Sequence, residues 1–342
     1  MYDAFGELPR VVAVDDPQCP SDGVVIRVAA TGLCRSDWHG WQGHDEDIAL
    51  PHVPGHELAG TVEAVGDDVR WWREGDRVTT PFVTACGVCA TCLRGDHQVC
   101  DDQRQPGFTE WGSFAELVAV ERADINLVRL PPSMSFDVAA GLGCRFATAY
   151  RAVVQVGRVR PGHWVAIHGC GGVGLAAVMI AVSRGARVVA VDVSPASLEL
   201  AESFGASAGF NPREVDVTAA IRGVTGGGAD VSIDAIGHDA VVLQSLTCLR
   251  KRGRHVQVGL LAGEGIALAD AMGTVIASEL QVLGSHGMAA HDYPQMLDEI
   301  AAGLLRPELL VRDVISLDEV PRRLAGLSEV GSGAGGSTII HP

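Results

Sequence analysis

The sequence predicts an α/β fold in which a small β-rich barrel is joined to a doubly wound parallel sheet. Residues 164–192 follow the order strand, glycine turn, helix, strand, which is the pattern of a βαβ unit. The N-terminal third instead contains short apolar runs between Gly, Pro and Asp turns, without a long helical pattern. A chain of 342 residues exceeds the size that one core usually serves, so we expect two domains.

The composition excludes several classes of partner. A hydrophobic content of 47% and a charged content of 20% are those of a globular protein with a large core. The formal charge of −16 argues against nucleic acid and against anionic membranes as partners. The first residues lack the basic and apolar regions of a signal peptide. We therefore expect a cytoplasmic protein whose cysteines are kept reduced.

Short apolar runs and turn residues predict the remaining elements. In the barrel, strands are expected at 24–28, 58–65, 77–79 and 114–120. In the parallel sheet, strands are expected at 188–192, 231–234, 256–258 and 280–283, with helices after Ser194-Pro195 and over 241–249. A glycine-rich turn over 331–336 is expected to precede a last strand at 338–340.

A thiol and an imidazole in the first third of the chain point to a catalytic metal. Cys34 and His56 are two of the three protein ligands that a catalytic zinc requires. Groups able to move a proton away from a reacting oxygen lie beside them, namely Ser36, Asp37, His39 and Glu57. The alternative is that Cys34 and His56 are ordinary half-buried residues, but their occurrence together in this order favours a metal site.

Four cysteines within fifteen residues predict a second metal site. Their spacing is Cys86-x2-Cys89-x2-Cys92-x7-Cys100. Tetrahedral sulfur sites need close spacing, because Zn–S distances of about 2.3 Å gather all four sulfurs around one ion. Disulfides are the alternative, which a reducing compartment disfavours. With no open coordination position, this zinc would be structural and would order the 86–100 lobe.

A glycine-rich turn after the strand at 165–168 predicts a dinucleotide site. Glycine lets backbone amides approach a pyrophosphate, and the N-terminus of the following helix favours its negative charge. The glycines of this turn are Gly169, Gly171, Gly172 and Gly174. Although the stretch 164–183 is about long enough to span a bilayer, His168 and these glycines interrupt it, so strand, turn and helix explain it better.

Asp192 ends the second strand of the βαβ unit, where the adenosine ribose is expected. A carboxylate there accepts hydrogen bonds from the ribose hydroxyls and repels a 2′-phosphate. No arginine or lysine follows it closely. A carboxylate at this position favours NAD over NADP. The alternative is that Asp192 is only a turn or cap residue with no role in cofactor binding.

Taken together, these motifs resemble the zinc-dependent medium-chain dehydrogenases/reductases of the alcohol dehydrogenase family, over essentially the whole chain. The resemblance implies a GroES-like β-barrel catalytic domain that is interrupted by a Rossmann coenzyme domain. The expected boundaries are 1–145 for the first part of the catalytic domain, 146–286 for the coenzyme domain and 287–342 for the return to the catalytic domain.

The resemblance also implies the full ligand set of the catalytic zinc. Cys34 and His56 match the first two ligands and Cys144 matches the third. Relatives that act on polyols often carry glutamate at the third position, so Cys144 favours simple alcohols and aldehydes. The pocket walls vary widely in the family; the candidates here are Trp38, Phe82 and Trp111.

Further roles carry over to the residues around the cofactor. By resemblance, Asp37 orients His56, Arg35 approaches the pyrophosphate, and Thr148 and Val173 flank the nicotinamide. The expected proton path leads from Ser36 through a ribose hydroxyl to His39, with a surface role as the alternative for His39. Glu57 is expected to support the ligands rather than to act as a base.

The expected protein is an NAD-dependent zinc alcohol dehydrogenase with two zinc ions per chain. It would transfer hydride between NAD and a primary or secondary alcohol, with the aldehyde or ketone formed or consumed. Alternatives are a polyol or amino-alcohol dehydrogenase, an NADP-preferring carbonyl reductase and, in another class, a non-catalytic nucleotide-binding sensor or scaffold. Short bacterial-type relatives are usually homotetramers, with homodimers as the alternative.

Overall fold

The computed structural model describes residues 1–261, 268–327 and 336–342. Its strands form two sheets, of seven and six strands. The strands are β1 (Val24–Leu33), β2 (Leu58–Val65), β3 (Arg77–Thr79), β4 (Leu117–Val120), β5 (Val128–Arg129), β6 (Trp164–His168), β7 (Arg187–Val191), β8 (Ala208–Phe210), β9 (Ala229–Asp234), β10 (Leu249–Gln257), β11 (Gln281–Gly284), β12 (Val311–Ser316) and β13 (Ser337–His341).

Helices in the described ranges connect and cover these sheets. They are α1 (Arg35–Trp41), α2 (Ala90–Leu93), α3 (Ala123–Asn126), α4 (Phe136–Ala140), α5 (Ala147–Tyr150), α6 (Gly172–Ser183), α7 (Pro195–Ser203), α8 (Val217–Thr225), α9 (Asp239–Thr247), α10 (Leu268–Ser278), α11 (Tyr293–Ala301) and α12 (Val320–Gly326). Within those ranges no helix combines the length and the apolar character needed to span a membrane.

The seven-stranded sheet is organised around β1. The strand order is β12-β13-β1-β2-β3-β5, with β4 also paired to β1. Apart from the parallel pair β12–β13, the pairs are antiparallel. The last three residues of β1 pair with β13, which holds the end of the strand, and Cys34 follows directly after it.

The six-stranded sheet is entirely parallel and has the order β11-β10-β9-β6-β7-β8. The chain winds outward from β6 in both directions, so the carboxyl end of β6 is the switch point at which such sheets bind ligands. The glycine turn 169–171 leaves β6 at this point and enters α6. Residues 174–181 of α6 are buried, which explains why its sequence lacks a polar face.

The helical stretch over 142–156 links the two sheets. It consists of a π-helical turn at Leu142–Phe146, then α5, then a second π-helical turn at Arg151–Val156. π-helical turns within helices occur frequently at functional sites. Here the first of them contains Cys144.

The structure confirms the predicted β-rich and parallel α/β parts and changes several boundaries. β1 extends to Leu33, beyond the predicted end at 28, and β10 begins at Leu249 rather than 256. β4 begins at Leu117 rather than 114. Helix α1 was absent from the prediction, because its seven residues are too few to establish a periodic pattern. The predicted turn over 331–336 lies outside the described residues except for Gly336, and the domain boundaries stay predictions.

A histidine at the end of β6 is buried without full hydrogen bonding. His168 has no accessible surface, and its Nδ1 has no hydrogen-bond partner. Its Nε2 lies 3.8 Å from the sulfur of Cys248. Burial, followed by the charge of His255, lowers the pKa of His168 to about 3. Since an unfolded histidine titrates near 6.5, folding favours the neutral ring, and that stability is lost as the pH falls from 6.5 toward 3.

We expect His168→Val to make the protein less sensitive to acid. The wild-type chain should lose up to about 1.4 kcal/mol of unfolding free energy per pH unit below 6.5 through this one group. The valine variant lacks that contribution, so urea denaturation at several pH values should give a shallower pH dependence. His291→Val, at an exposed histidine, serves as the control and should keep the wild-type slope. If the unfolding free energy of His168→Val depends on pH as steeply as that of the wild type, His168 does not contribute to acid sensitivity.

Candidate active site

Cys34 occupies the N-cap of α1, directly after β1. Its backbone is extended, with φ −115° and ψ 158°, and its backbone N–H donates to Oδ2 of Asp37 at 2.8 Å. Asp37 stands at the third helical position, where a carboxylate satisfies a free backbone donor and faces the positive end of the helix dipole. The cap therefore fixes the Cys34 backbone at the end of a well-paired strand.

The second oxygen of Asp37 fixes His56. Oδ1 accepts hydrogen bonds from Nδ1 of His56 at 2.9 Å and from the backbone N–H of Gly55 at 3.2 Å. Gly55 has φ +109°, and a Cβ there would meet Phe114 at 2.6 Å, so this turn requires glycine. Asp37 and His56 are each 1% exposed. The imidazole is thereby held in one orientation with Nδ1 occupied.

Three ligand atoms converge beside this turn. One ligand atom each from Cys34, His56 and Cys144 lies within 4.8 Å of the others. The Nε2 atom of His56 is buried and has no hydrogen-bond partner. A buried, unsatisfied nitrogen close to two sulfurs is costly unless a cation binds there, and two thiolates with one imidazole suit zinc. The residues present fit a catalytic metal.

The three groups shift one another's pKa values. A hydrogen bond from Cys144 lowers the pKa of Cys34 well below its usual range, and His56 adds to the effect against the opposing cost of burial. Burial lowers the pKa of His56, but Asp37 and Cys34 outweigh it and raise that pKa overall. The shifts favour a thiolate at Cys34, whereas His56 and Cys144, whose pKa values are both raised, must release their protons before they can bind a metal.

A buried ion pair supports the third ligand. The backbone N–H of Arg145 donates to Oε1 of Glu57 at 2.9 Å, and its Nε donates to the same oxygen at 3.0 Å. Nη2 donates to Oε2, which completes a bidentate pair whose side chains are 9% and 0% exposed. Glu57 follows His56 and Arg145 follows Cys144, so this pair joins the two segments that carry these ligands.

Arg145 also reaches the glycine turn after β6. A Cβ on Gly172 would lie 2.5 Å from Cδ of Arg145. The same arginine thus contacts the ligand segment and the first turn of α6. Sequence analysis missed Arg145; the available signal was a charged residue next to Cys144 within an apolar segment.

The residues of the expected proton path lie on α1. The hydroxyl of Ser36 is 3.8 Å from Sγ of Cys34, and both Ser36 and His39 are half-buried. Nδ1 of His39 lies 3.0 Å from Nδ1 of His44. Burial, followed by the charges of His44 and Arg35, lowers the pKa of His39, so its ring is neutral and able to accept a proton at neutral pH. Sequence analysis did not identify His44.

The glycine turn has the close approaches expected of a dinucleotide site. Gly169 has φ +92°, and a Cβ on Gly174 would lie 1.7 Å from the carbonyl oxygen of Gly169. Gly171 faces open space.

The Asp192 carboxylate follows β7 and accepts hydrogen bonds from the backbone N–H groups of Cys170 at 2.7 Å and Ser194 at 2.8 Å. These hydrogen bonds connect the glycine turn after β6 to Asp192 at the end of β7, at the switch point of the sheet.

The other expected cofactor residues occupy different surroundings. Arg35 is exposed, donates to the backbone carbonyl of Leu327, and stacks on the ring of Trp38 at 4.9 Å. Thr148 is buried, and its hydroxyl has no hydrogen-bond partner. Val173 is half-buried in the first turn of α6. The roles of these three residues toward NAD stay predictions.

The three aromatic pocket candidates have different neighbours. Phe82 packs edge-on to His56, with ring centroids 6.3 Å apart. Trp38 packs edge-on to His39 at 5.0 Å. Trp111 is 43% exposed and donates its Nε1–H to the carbonyl of Pro51 at 2.9 Å. The contacts thus link Phe82 and Trp38 to site residues and Trp111 to a surface turn.

The four cysteines of the 86–100 lobe come together as their spacing predicts. The Sγ–Sγ distances are 3.9 Å for Cys86–Cys92, 3.8 Å for Cys89–Cys100 and 3.4 Å for Cys86–Cys100. Four sulfurs placed tetrahedrally at a Zn–S distance of about 2.3 Å would lie about 3.8 Å apart. Backbone N–H groups of Val88 and Cys89 donate to Cys86 and lower its pKa to about 6. The sulfur spacing of the lobe therefore fits a tetrahedral zinc site.

Comparison with known proteins identifies the family. Residues 20–132 match the alcohol dehydrogenase GroES-like domain and residues 172–302 match the zinc-binding dehydrogenase domain. An alcohol dehydrogenase of Geobacillus stearothermophilus is 33% identical over 95% of both chains. An alcohol dehydrogenase of Moraxella sp. is 30% identical over 94% of this chain and 93% of its own.

Solved structures agree with this assignment. The alcohol dehydrogenase of Thermus sp. ATN1 superposes with a TM-score of 0.87 and 31% identity, over 96% of this chain and 95% of its own. The alcohol dehydrogenase of Aeropyrum pernix superposes with a TM-score of 0.88 and 30% identity, over 99% of this chain and 98% of its own. A putative zinc-binding dehydrogenase of Sinorhizobium meliloti bound to NADP superposes with a TM-score of 0.85 and 29% identity, over 96% of this chain and 94% of its own.

The chain belongs to the zinc-dependent medium-chain alcohol dehydrogenase family. It is an oxidoreductase, and the expected combination of a GroES-like domain with a Rossmann-type parallel sheet is confirmed.

We expect Arg145→Met to destabilise the protein by about 3–5 kcal/mol, because it leaves the Glu57 charge buried without a partner. The double variant Glu57→Gln/Arg145→Met should recover part of that loss. Urea denaturation measures both. Arg27→Met, which breaks the exposed ion pair with Glu63, is the matched control and should leave stability unchanged. If the two arginine variants behave alike, the buried pair does not hold the site together.

Proposed function

We propose that this enzyme oxidises small primary or secondary alcohols with NAD and reduces the corresponding aldehydes or ketones in the reverse direction. The convergence of Cys34, His56 and Cys144 next to a dinucleotide turn is the observation that supports this proposal most strongly. The names of its relatives agree with it. A sulfur rather than a carboxylate as third ligand favours simple alcohols over polyols.

We propose that two zinc ions bind each chain. Cys34, His56 and Cys144 would hold the catalytic ion, and the four cysteines of the 86–100 lobe would hold the structural ion. When bound with one position open, zinc polarises a substrate oxygen and lowers the pKa of its proton. The lobe offers four thiols and so leaves no such position.

The protein's own residues would position the substrate and remove its proton. Asp37 holds His56 in one orientation, and the Glu57–Arg145 pair holds the Cys144 segment. Ser36 is close to Cys34 and offers a hydroxyl that can accept and pass on a proton. His39, whose pKa is lowered mainly by burial, would receive the proton after a ribose hydroxyl of the bound cofactor.

The cofactor assignment to NAD rather than NADP rests on Asp192. Two backbone N–H groups hold its carboxylate, so it cannot easily turn away from an added 2′-phosphate. Negative charge fixed at this point disfavours NADP. Arg35, Thr148 and Val173 are proposed as further contacts of NAD.

We further propose a cytoplasmic homotetramer, with a homodimer as the alternative, whose domains divide at 145/146 and 286/287. Support for the compartment comes from the four thiols of the lobe, which need reducing conditions to stay available for zinc. Light scattering on the purified enzyme distinguishes the two oligomeric states.

An activity screen tests the proposed reaction. Purified enzyme with NAD should form NADH from at least one of a panel of primary, secondary and benzylic alcohols, with much slower turnover of vicinal diols and amino alcohols. A preference for diols would favour the polyol alternative. Absence of turnover across alcohols, diols and carbonyl compounds would favour the non-catalytic alternative.

Ser36→Ala should lower kcat by about 100-fold or more, because it removes the first group expected to accept the substrate proton. Zinc content and the Kd of NADH should stay unchanged, which separates this effect from misfolding. Ser203→Ala, at an exposed serine on α7, is the control and should keep the wild-type kcat. A normal kcat for Ser36→Ala would refute the proposed proton path.

Asp192→Gly should shift the cofactor preference toward NADP. Removal of the carboxylate abolishes its repulsion of a 2′-phosphate and its hydrogen bonds to the ribose, so kcat/KM should fall with NAD and rise with NADP. Steady-state kinetics with both cofactors measures the ratio. Asp239→Gly, near the start of α9, is a control that should leave the ratio unchanged. An unaltered ratio in Asp192→Gly would mean that another residue selects the cofactor.

Cys92→Ser should reduce the zinc content by one ion per chain and lower the Tm, because the lobe would lose one of its four ligands. The catalytic zinc should stay bound. Cys19→Ser, at a half-buried cysteine outside both clusters, should leave zinc content and Tm close to wild type. If Cys92→Ser matches Cys19→Ser in both measurements, the lobe does not bind zinc.

A further inference from the structure

His44 lies at the end of α1, where the helix terminates in a Schellman motif. Gly43 has φ +78°, the backbone N–H of Gly43 donates to the carbonyl of Gly40, and that of His44 donates to the carbonyl of His39, each at 3.0 Å. This motif brings the side chain two residues beyond the cap against the side chain of the third-last helical residue. In this chain those two residues are His44 and His39.

The two imidazoles are hydrogen-bonded to each other. Their Nδ1 atoms are 3.0 Å apart, with ring centroids separated by 5.3 Å. The indole of Trp38 packs edge-on against both rings, at 5.0 Å from His39 and 5.8 Å from His44. Phe5 packs beneath Gly43, so that a Cβ there would lie 3.0 Å from its ring. Backbone and aromatic contacts therefore both hold the pair in place.

Exposure increases along the pair. His39 is half-buried, whereas His44 is exposed and is followed by Asp45, Glu46 and Asp47. With Nδ1 of His39 occupied by His44, Nε2 is the ring nitrogen left to accept a proton, and no hydrogen bond to it occurs among the described residues. A proton that enters His39 at Nε2 thus has His44 as its neighbour on the opposite side of the ring.

We propose that His44 is the outer member of a two-histidine proton path and carries the proton from His39 to solvent. The inference rests on the proposed alcohol dehydrogenase function, in which His39 receives the substrate proton. Neutral His39 accepts a proton at Nε2 and becomes an imidazolium. It then donates its Nδ1 proton to Nδ1 of His44, which releases a proton from Nε2 to water. Proton exchange of both rings with water restores the starting tautomers between turnovers.

His44 acts through His39 and is therefore a positioning residue as well as a proton acceptor. Its hydrogen bond to Nδ1 fixes the His39 ring, with Nε2 on the opposite side of the ring. The charge of His44 lowers the pKa of His39, as does that of Arg35, whereas Cys34 raises it; burial has the largest effect. Removal of His44 should therefore raise the pKa of His39 as well as slow the transfer.

The kinetic test uses His44→Gln in the complete zinc- and NAD-containing enzyme. Glutamine can still form a hydrogen bond to His39 but cannot carry a proton. Alcohol oxidation at low buffer concentration should slow by about tenfold, less than the ~10²-fold or greater effect of losing a proton acceptor at the reacting centre, because water can partly replace His44. Added imidazole buffer should restore the rate. The double variant His39→Gln/His44→Gln should be no slower than His39→Gln, since the two groups act in series.

His291→Gln, at an exposed histidine that contacts the cysteine lobe, is the matched control and should show no dependence on buffer. Wild-type rates for His44→Gln at every buffer concentration would overturn the proposal. A further loss of rate in the His39→Gln background would overturn it as well, because that result requires independent actions.

Titration of the histidine ring resonances by NMR provides a readout that does not depend on turnover. The pKa of His39 should be higher in His44→Gln than in the wild type, and unchanged in His291→Gln. An unchanged pKa of His39 in His44→Gln would show that His44 does not influence His39 in solution and would overturn the proposal. If the wild-type enzyme turns over none of the alcohols but the His39 pKa shifts as expected, the proposed function fails while the paired geometry stands.

Discussion

The carboxylate of Asp37 is the one interaction on which the rest of the site depends. It accepts hydrogen bonds from the backbone of Cys34, the backbone of Gly55 and Nδ1 of His56, at 2.8, 3.2 and 2.9 Å. These groups come from the end of β1 and from the turn before β2, which lie about twenty residues apart in sequence. A single buried anion thereby sets the position of one sulfur ligand and the orientation of one nitrogen ligand.

The remaining ligand is brought to the same point by a second buried anion. Glu57 holds Arg145, which follows Cys144 in a π-helical turn and packs against Gly172 of α6. Burial of two carboxylates is unfavourable without partners, and each of them accepts three hydrogen bonds. The arrangement connects the metal ligands to the dinucleotide turn through one side chain. The buried ion pair that stabilises the fold therefore also sets the position of the third metal ligand.

Sequence analysis identified the groups whose chemistry follows from local spacing, and missed those that depend on a contact with a distant segment or on the end of an unpredicted short helix. The lobe cysteines, the glycine turn and the cap role of Ser194 follow from spacing within a few residues. Cys144 was recognised through family resemblance, because nothing in its immediate neighbours distinguishes it from a core thiol. Arg145 and His44 escaped notice since their significance comes from Glu57, 88 residues away, and from a helix end that was too short to predict.

Anomalous X-ray scattering at the zinc absorption edge tests the central claim most directly. Crystals of the purified enzyme should give two peaks per chain. One should lie within bonding distance of the Cys34 and Cys144 sulfurs and of Nε2 of His56, and the other at the centre of the 86–100 lobe. A peak in the lobe alone, from enzyme that still oxidises alcohols at full rate, would contradict the claim that these three residues hold the catalytic metal.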